Sequence, residues 1–102
     1  MNIDLRAEIA DLRDEMIWLR RDLHMHPEVA FKEERTASVI ADRLKGLGIE
    51  VDEGVGVTGV VGLLDTGKPG RTLMIRADID ALPVIERQHK NYSSLKNGLM
   101  HA

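Results

Sequence analysis

The chain has 102 residues, of which 43% are hydrophobic, so its length and composition allow one small domain. Its formal net charge of -3 and its single Trp, Tyr and Phe provide neither a basic surface nor a base-stacking platform for nucleic acid. Because the chain contains no cysteine, disulfides and thiolate metal ligands are excluded within these residues. Without a signal-peptide pattern or a bilayer-spanning apolar run, the sequence predicts a soluble cytoplasmic protein with no membrane partner.

The first part of the chain has the apolar spacing of an amphipathic helix. Residues 4 to 25 repeat apolar side chains every three or four positions, and Pro27 should end the helix. The stripe predicts a face directed to the core, and it is shorter than the heptad run that makes a coiled coil secure. A small helical module that binds a partner through this stripe is the alternative. The stripe consists of Leu5, Ile9, Leu12, Met16, Leu19 and Leu23.

A second helix and three strands are predicted after Pro27. The helix runs from about Glu33 to Leu47, with Gly48 placed to cap its C-terminus. The strands are rich in apolar and β-branched residues, and a turn at residues 65 to 70 precedes the last one. The predicted fold class is therefore α/β with the order ααβββ, and the small sheet would have an unpaired edge. The strands are Ile49–Val51, Val57–Leu64 and Thr72–Ala77.

The best indication of chemistry is a charged cluster at the end of the third predicted strand. Arg76, Asp78 and Asp80 alternate along an extended segment, so their side chains should share one face. Two carboxylates so close repel each other unless a cation lies between them. The cluster therefore predicts either a functional carboxylate pair or a strand-end turn in which Arg76 neutralises one acid.

Three other patterns in the sequence allow a functional or a structural interpretation. Gly54, Gly56 and Gly59 match a dinucleotide-binding motif, but a predicted strand follows them, which favours turn and bulge glycines. The segment from Asp78 also resembles the D-x-D strand end of haloacid-dehalogenase-type phosphotransferases, which leaves a minor alternative function. His101 lies in an apolar stretch after a glycine, so its titratable ring needs a nearby partner and frames the candidate site.

Several short segments in register resemble the N-terminal part of the metal-dependent amidohydrolases of the hippurate hydrolase type, whose relatives include N-acyl amino acid aminoacylases and indoleacetyl-amino acid hydrolases. The segments are Leu23–Glu28, then Phe31, Glu34 and Thr36, then Thr58–Val61, Arg76–Pro83, Tyr92–Ser94 and Gly98–Ala102. The resemblance implies that residues 1–102 form the N-terminal part of a zinc-peptidase-like catalytic domain. The full-length parent would be a three-layer sandwich carrying an additional lid or dimerisation domain, through which it would form homo-oligomers.

The resemblance also implies an activity, a cofactor and residue roles. The parent would hydrolyse the amide bond of small N-acyl amino acids, using a divalent metal such as zinc, manganese, cobalt or nickel. Asp80 matches an aspartate that orients a metal-binding imidazole, while Asp78, Arg76 and His101 frame the site. The family pattern continues Met-His-Ala-Cys-Gly-His-Asp, and this sequence ends on Ala102. We therefore expect no metal ligand within these residues and no activity from the isolated chain.

Overall fold

A computed structural model describes residues 3–102 as three helices followed by a two-stranded sheet. The helices are α1 (Leu5–Asp11), α2 (Arg13–Met25) and α3 (Glu34–Gly46). The strands are β1 (Glu50–Val55) and β2 (Gly59–Leu63). The mixed α/β composition agrees with the prediction, whereas the order is αααββ and not ααβββ.

The predicted helix over residues 4 to 25 is divided at Leu12. Asp4 caps α1, because its Oδ1 atom accepts hydrogen bonds from the amides of Arg6 at 3.1 Å and Ala7 at 3.2 Å. The amide of Leu12 donates to the carbonyl of Ile9, three residues back, at 3.1 Å. This tighter turn interrupts the α-helical pattern without changing the spacing of apolar residues, so periodicity alone could not locate it.

The apolar stripe of α1 and α2 is only partly covered. Leu5, Ile9, Leu12 and Met16 are exposed, and Leu19 and Leu23 are half-buried. The prediction that the whole stripe faces the core is therefore wrong for the first four of its six residues within residues 3–102. Most of this apolar surface is therefore not covered by other parts of residues 3–102.

Helix α3 lies within one residue of its predicted bounds at both ends. Its last turn closes when the amide of Gly48 donates to the carbonyl of Lys45 at 2.9 Å, and Gly48 has the positive φ of 76° that favours glycine. The helix packs against both strands of the hairpin. At Gly62 a Cβ atom would lie 3.1 Å from Leu44 Cδ1, so the absence of a side chain lets helix and sheet approach closely.

Strands β1 and β2 form an antiparallel hairpin in which Glu50 is opposite Leu63 and Val55 is opposite Gly59. The register shifts between Glu53 and Val55, which marks a bulge at Gly54. Gly54 and Gly56 have φ values of 71° and 59°. The glycine motif therefore forms a bulge and a turn, as the structural interpretation predicted. In the part of the chain that the structure describes, no helix follows the motif to present amides to a phosphate.

The third predicted strand, Thr72–Ala77, is extended but is not hydrogen-bonded into a sheet. Among residues 3–102, no backbone hydrogen bond joins residues 71–80 to the rest of the chain. The prediction of a third strand is wrong for this structure, because a strand requires a neighbour to pair with, and residues 3–102 place none beside it.

The core is thin and lies where α3 meets the segment after Pro27. Within residues 3–102, the buried hydrophobic residues are Ala41, 0% exposed, and Ala81, 2% exposed. Pro27 and Thr36 are also fully buried. Because these side chains are small, little apolar area is removed from water. No helix in residues 3–102 is both long and apolar enough to cross a bilayer.

Candidate functional site

Glu28 is the buried carboxylate on which the candidate site is built. Its Oε1 atom accepts hydrogen bonds from the amide of Thr36 at 2.6 Å and from Thr36 Oγ1 at 2.7 Å. Its Oε2 atom accepts from the amide of Arg35 at 3.0 Å. These amides belong to the first turn of α3, so Glu28 supplies the acceptors that the start of a helix lacks.

The protonation of Glu28 follows from these contacts. Burial raises the pKa of its carboxyl group, but the hydrogen bonds from Thr36 and Arg35, together with the charge of Lys96, outweigh that effect and hold the pKa below its ordinary value. Glu28 therefore stays ionised although it is only 8% exposed. A buried anion at the positive end of α3 is also favoured by the helix dipole.

The backbone of Glu28 fixes the position of Asp80. The carbonyl of Glu28 accepts a 2.7 Å hydrogen bond from the amide of Ala81, within a parallel bridge between Val29 and Ala81. The next residue, Leu82, exchanges two 3.0 Å backbone hydrogen bonds with Met100. Asp80 precedes Ala81, and His101 follows Met100. These bridges therefore bring the two predicted site residues close to the C-terminal end of α2 and the N-terminal end of α3.

His101 has an unsatisfied ring nitrogen at this position. Its Nε2 atom is buried and has no hydrogen-bond partner within residues 3–102. Burial lowers the pKa of His101, and the nearby His24 lowers it further. The carboxylates of Asp80 and Glu28 act in the opposite direction without reversing the shift. A neutral imidazole with a free nitrogen is the form that can accept a hydrogen bond or ligate a metal.

A second anchor holds the segment before His101 in place. His24 Nε2 lies 3.0 Å from Glu86 Oε1, and Glu86 Oε2 accepts a 2.7 Å hydrogen bond from the amide of Ser94. The amide hydrogen bond from Ser94 and then the contact with His24 lower the pKa of Glu86. The amide of Leu95 donates to the carbonyl of Met25 at 2.9 Å. Loop residues 86–95 are thereby tied to the end of α2.

A cavity of about 500 Å³ opens between α2 and this loop. His24 and His101 line it, together with the ring of Tyr92, over which the Arg21 guanidinium lies at 4.4 Å from the centroid. The cavity therefore places the His101 imidazole near a tyrosine ring that is covered by a guanidinium group. Titratable groups and enclosed space therefore coincide at this position.

The charged cluster of Arg76, Asp78 and Asp80 lines a second cavity of about 320 Å³, which Ala77 and Ile79 also line, so the shared face of the three charged side chains stays a prediction. Arg76 Nη2 donates to Asp78 Oδ1 at 2.7 Å, with both side chains exposed. This is the arrangement expected if Arg76 neutralises one carboxylate. The phosphotransferase interpretation places the nucleophile at the end of a strand, whereas Asp78 is paired with Arg76 and no strand of residues 3–102 contains or adjoins it.

Buried Glu33 also borders the Asp80 cavity, and the sequence had not indicated it. Its Oε2 atom accepts a hydrogen bond from Thr58 Oγ1, while its Oε1 atom is buried without a partner in residues 3–102. Glu28 and Glu86 were also missed, because both act on residues distant in the sequence. The sequence offered no local signal for this cap, because Glu28 lies five residues before Glu33, where the second helix was predicted to begin.

The donor atoms of the site are too few and too dispersed to hold a metal ion. Within residues 3–102, no group of three or more His, Cys, Asp or Glu side chains converges as metal ligands would. The free nitrogen of His101 is a single donor, whereas protein metal sites use three or four ligands. The residues described therefore do not fit a complete metal centre.

The site therefore combines the buried Glu28 carboxylate with the His101 imidazole on an α/β segment. Comparisons with known proteins identify relatives of the chain. The chain is 43% identical over 99 residues to thermostable carboxypeptidase 1 of Saccharolobus solfataricus, covering 96% of this chain and 25% of that protein. It is 43% identical over 100 residues to hippurate hydrolase of Campylobacter jejuni, covering 98% of this chain and 26% of that protein. No protein-family model matches the chain.

Two solved structures share the fold. A protein from methicillin-resistant Staphylococcus aureus matches the whole chain with a TM-score of 0.92 and 45% identity, and the match covers 27% of that protein. The YXEP protein of Bacillus subtilis, described as a dinuclear metal-binding peptidase of the M20 family, matches 90% of the chain with a TM-score of 0.82 and 36% identity.

These comparisons confirm the predicted resemblance to the hippurate hydrolase and N-acyl amino acid amidohydrolase group, and with it the α/β peptidase fold class. The related proteins are enzymes named as hydrolases and peptidases. The chain spans about a quarter of the length of the curated relatives it matches.

Proposed function

We propose that the chain forms the Asp80-bearing part of an enzyme that hydrolyses the amide bond of small N-acyl amino acids with a divalent metal. The observation that carries this proposal is 43% identity to a hippurate hydrolase over 98% of the chain, combined with the juxtaposition of Asp80 and His101. The metal would be zinc, manganese, cobalt or nickel. We also propose a cytoplasmic location, no nucleic-acid or membrane partner, and a homo-oligomeric complete enzyme.

The proposed roles rest on the resemblance to the amidohydrolases, and the backbone contacts of the site support them. Asp80 would accept a hydrogen bond from a metal-binding imidazole, fix its orientation and raise its basicity. Glu28 would hold Asp80 in place, because the Glu28 carbonyl accepts a hydrogen bond from the amide of Ala81, the residue that follows Asp80. Arg76 and Asp78 would frame the same opening as an ion pair. His101 would present its free nitrogen close to them, because it lines a neighbouring cavity of about 470 Å³ together with Asp78.

The isolated chain should not turn over substrate. Residues 3–102 do not bring together a set of metal ligands, so no bound metal would activate water. The purified chain should therefore release no glycine from hippurate in the presence of zinc, manganese, cobalt or nickel. Sustained hydrolysis by the chain alone would contradict this division of roles.

A chimeric enzyme tests the activity directly. In Campylobacter jejuni hippurate hydrolase, the segment aligned with this chain would be replaced by residues 3–102 of this chain. The chimera should release glycine from hippurate, because the substituted segment is expected to provide the same supporting residues. A correctly folded, metal-loaded chimera without activity would refute the proposed function.

The role of Asp80 is tested within that chimera. Asp80→Asn should weaken metal affinity by about 10- to 100-fold, the usual cost of removing a carboxylate that supports a ligating imidazole. The matched control is Asp52→Asn, which changes an exposed aspartate of β1 and should leave metal affinity unchanged. Equal metal affinity in both variants would remove Asp80 from the proposed site.

The exposed apolar stripe gives specific support to a second candidate function. Because Leu5, Ile9 and Met16 are exposed, α1 and α2 could bind a partner as a small helical module. Sedimentation of a peptide covering residues 1–27 separates the two functions. A stable peptide dimer favours the interaction module, and a monomer favours the hydrolase segment.

A further inference from the structure

The cavity of about 500 Å³ between α2 and the loop that contains Tyr92 is rich in basic side chains. Four of its lining residues carry a positive charge at neutral pH, and two more are histidines. In the part of the chain that the structure describes, Glu86 is the single acidic side chain among its lining residues. The four basic residues form a cationic cluster, which consists of Arg20, Arg21, Arg87 and Lys90.

The described chain does not neutralise the cationic cluster. None of the ion pairs formed within residues 3–102 includes a member of the cluster. Glu86 is already engaged, because its Oε1 atom lies 3.0 Å from His24 Nε2 and its Oε2 atom accepts a 2.7 Å hydrogen bond from the amide of Ser94. By contrast, Arg35 and Arg43 of α3 each contact a carboxylate of α2. The cluster therefore lacks the counter-charge that these other arginines have.

Tyr92 holds two of the positive charges close to each other. The Arg21 guanidinium carbon lies 4.4 Å from the centroid of the Tyr92 ring, and Lys90 Nζ lies 5.5 Å from the same centroid. The aromatic ring attracts both groups, although the two cations repel each other. An anion bound between them would replace this repulsion with two attractive interactions.

His101 adds a polar atom without a partner to the same cavity. Its Nε2 atom is buried and makes no hydrogen bond within residues 3–102. An imidazole nitrogen that carries a proton donates a hydrogen bond, and leaving a buried polar atom unpaired costs free energy. A ligand with acceptor oxygens would satisfy this atom as well as the cationic cluster.

We infer that this cavity is a binding site for a small polyanion, a molecule that carries at least two negative charges on phosphate or carboxylate groups. Guanidinium groups match the oxygens of both kinds of group in bidentate geometry, and the cavity has the size of a small-molecule site. The inference goes beyond the proposed hydrolysis, since an N-acyl amino acid such as hippurate has one carboxylate and would leave most of the cluster unpaired.

Isothermal titration calorimetry of the purified chain provides the test. The probes are pyrophosphate for the phosphate class and citrate for the carboxylate class, in buffer freed of metal ions on a chelating resin. At least one probe should bind 1:1 and about 10-fold or more tightly than hippurate, and the probe that binds identifies the class. The affinity should fall as salt is added, because salt screens the charges. Absence of binding by both probes, or equal affinity for hippurate, would overturn the inference.

Substitutions locate the binding site within the chain. Arg21→Gln and Lys90→Gln should each weaken binding of the probe by about 10-fold, and Arg21→Lys should restore part of the loss because it keeps the charge. The matched control is Arg13→Gln, which removes one positive charge from α2 outside the cavity and should leave binding unchanged. Circular dichroism of each variant would establish that its helices are retained. Unchanged affinity in both cavity variants, or an equal loss in the control, would overturn the assignment of the site.

NMR spectroscopy gives a readout that does not depend on substitution. Addition of the probe should shift the ring signals of His101 and Tyr92, which line the cavity. The indole signal of Trp18, a residue of α2 that is not among the lining residues, should remain in place. A shift confined to Trp18 would place the anion elsewhere on α2 and refute the proposed site.

Discussion

Replacing Glu28 should destabilise the chain more than any other exchange of a single carboxylate. Glu28→Ala removes the acceptor for hydrogen bonds from the Thr36 amide, the Thr36 hydroxyl and the Arg35 amide. A hydrogen bond to a charged group contributes about 1.5–3 kcal/mol, and the loss of a helix cap costs about 1 kcal/mol. Because the three bonds share one carboxylate and do not add fully, we expect a loss of about 3 kcal/mol.

Glu28→Gln separates the charge from the shape. Its amide oxygen can still accept from Thr36, while its NH₂ group faces the Arg35 amide, so the loss should be about 1 kcal/mol. Urea unfolding followed by circular dichroism measures both values. The matched control is Glu34→Gln, an exposed acid in the first turn of α3, for which about 0.5 kcal/mol is expected from the helix dipole. Equal losses for Glu28→Ala and the control would refute the capping role.

The contribution of Glu28 also has a defined pH dependence. Its native pKa is held below the ordinary value of 4.5, so its stabilising effect is complete at pH values above the ordinary pKa. The effect is lost as the pH falls from the ordinary value through the lower native value. The stability difference between the parent chain and Glu28→Gln should therefore shrink on acidification. A difference that grows towards low pH would contradict the direction of the shift.

Two further predictions concern single atoms and backbone positions. In NMR titration, the pKa of His101 should lie below 6.5 because the ring is buried, and His24→Gln should raise it by removing a nearby positive group; a midpoint at or above 6.5 in the parent chain would contradict this environment. Gly59→Ala should destabilise the hairpin, since its Cβ atom would lie 2.4 Å from the Val55 carbonyl oxygen. Gly46→Ala, where the Cβ meets nothing within 4 Å, should instead stabilise α3 by about 0.5–1 kcal/mol in urea unfolding, and equal effects at both positions would argue against the close contact.

Local signals in the sequence were sufficient for α3 and for the hairpin. Apolar spacing and Gly48 bounded α3 to within one residue, because helix periodicity and a left-handed C-terminal glycine are local properties. The glycines at 54 and 56 indicated a bulge and a turn for the same reason. Predictions succeeded where a few consecutive residues determine the backbone.

Features that depend on distant partners could not be predicted. Thr72–Ala77 has the composition of a strand, but a strand forms only where another strand supplies the pairing groups. Arg76, Asp78 and Asp80 line one cavity, but Ala77 and Ile79 line it as well, so a shared face for the three charged side chains stays a prediction. Glu28 was missed because its partners are seven and eight residues away. The role of Asp80 in metal binding remains a prediction until the chimera is measured.

The thin core has a consequence for how the sequence can diverge. Because Pro27, Thr36, Ala41 and Ala81 are the tightly enclosed positions, the segment that follows α2 and the body of α3 have little freedom to accept larger side chains. The outward-facing positions of β1 and β2 are under no such restriction within residues 3–102. In a saturation mutagenesis library, residues 27–41 should accordingly tolerate few substitutions, whereas much of the hairpin should tolerate many. A ranking of these two regions by hydrophobicity alone would give the opposite order of tolerance.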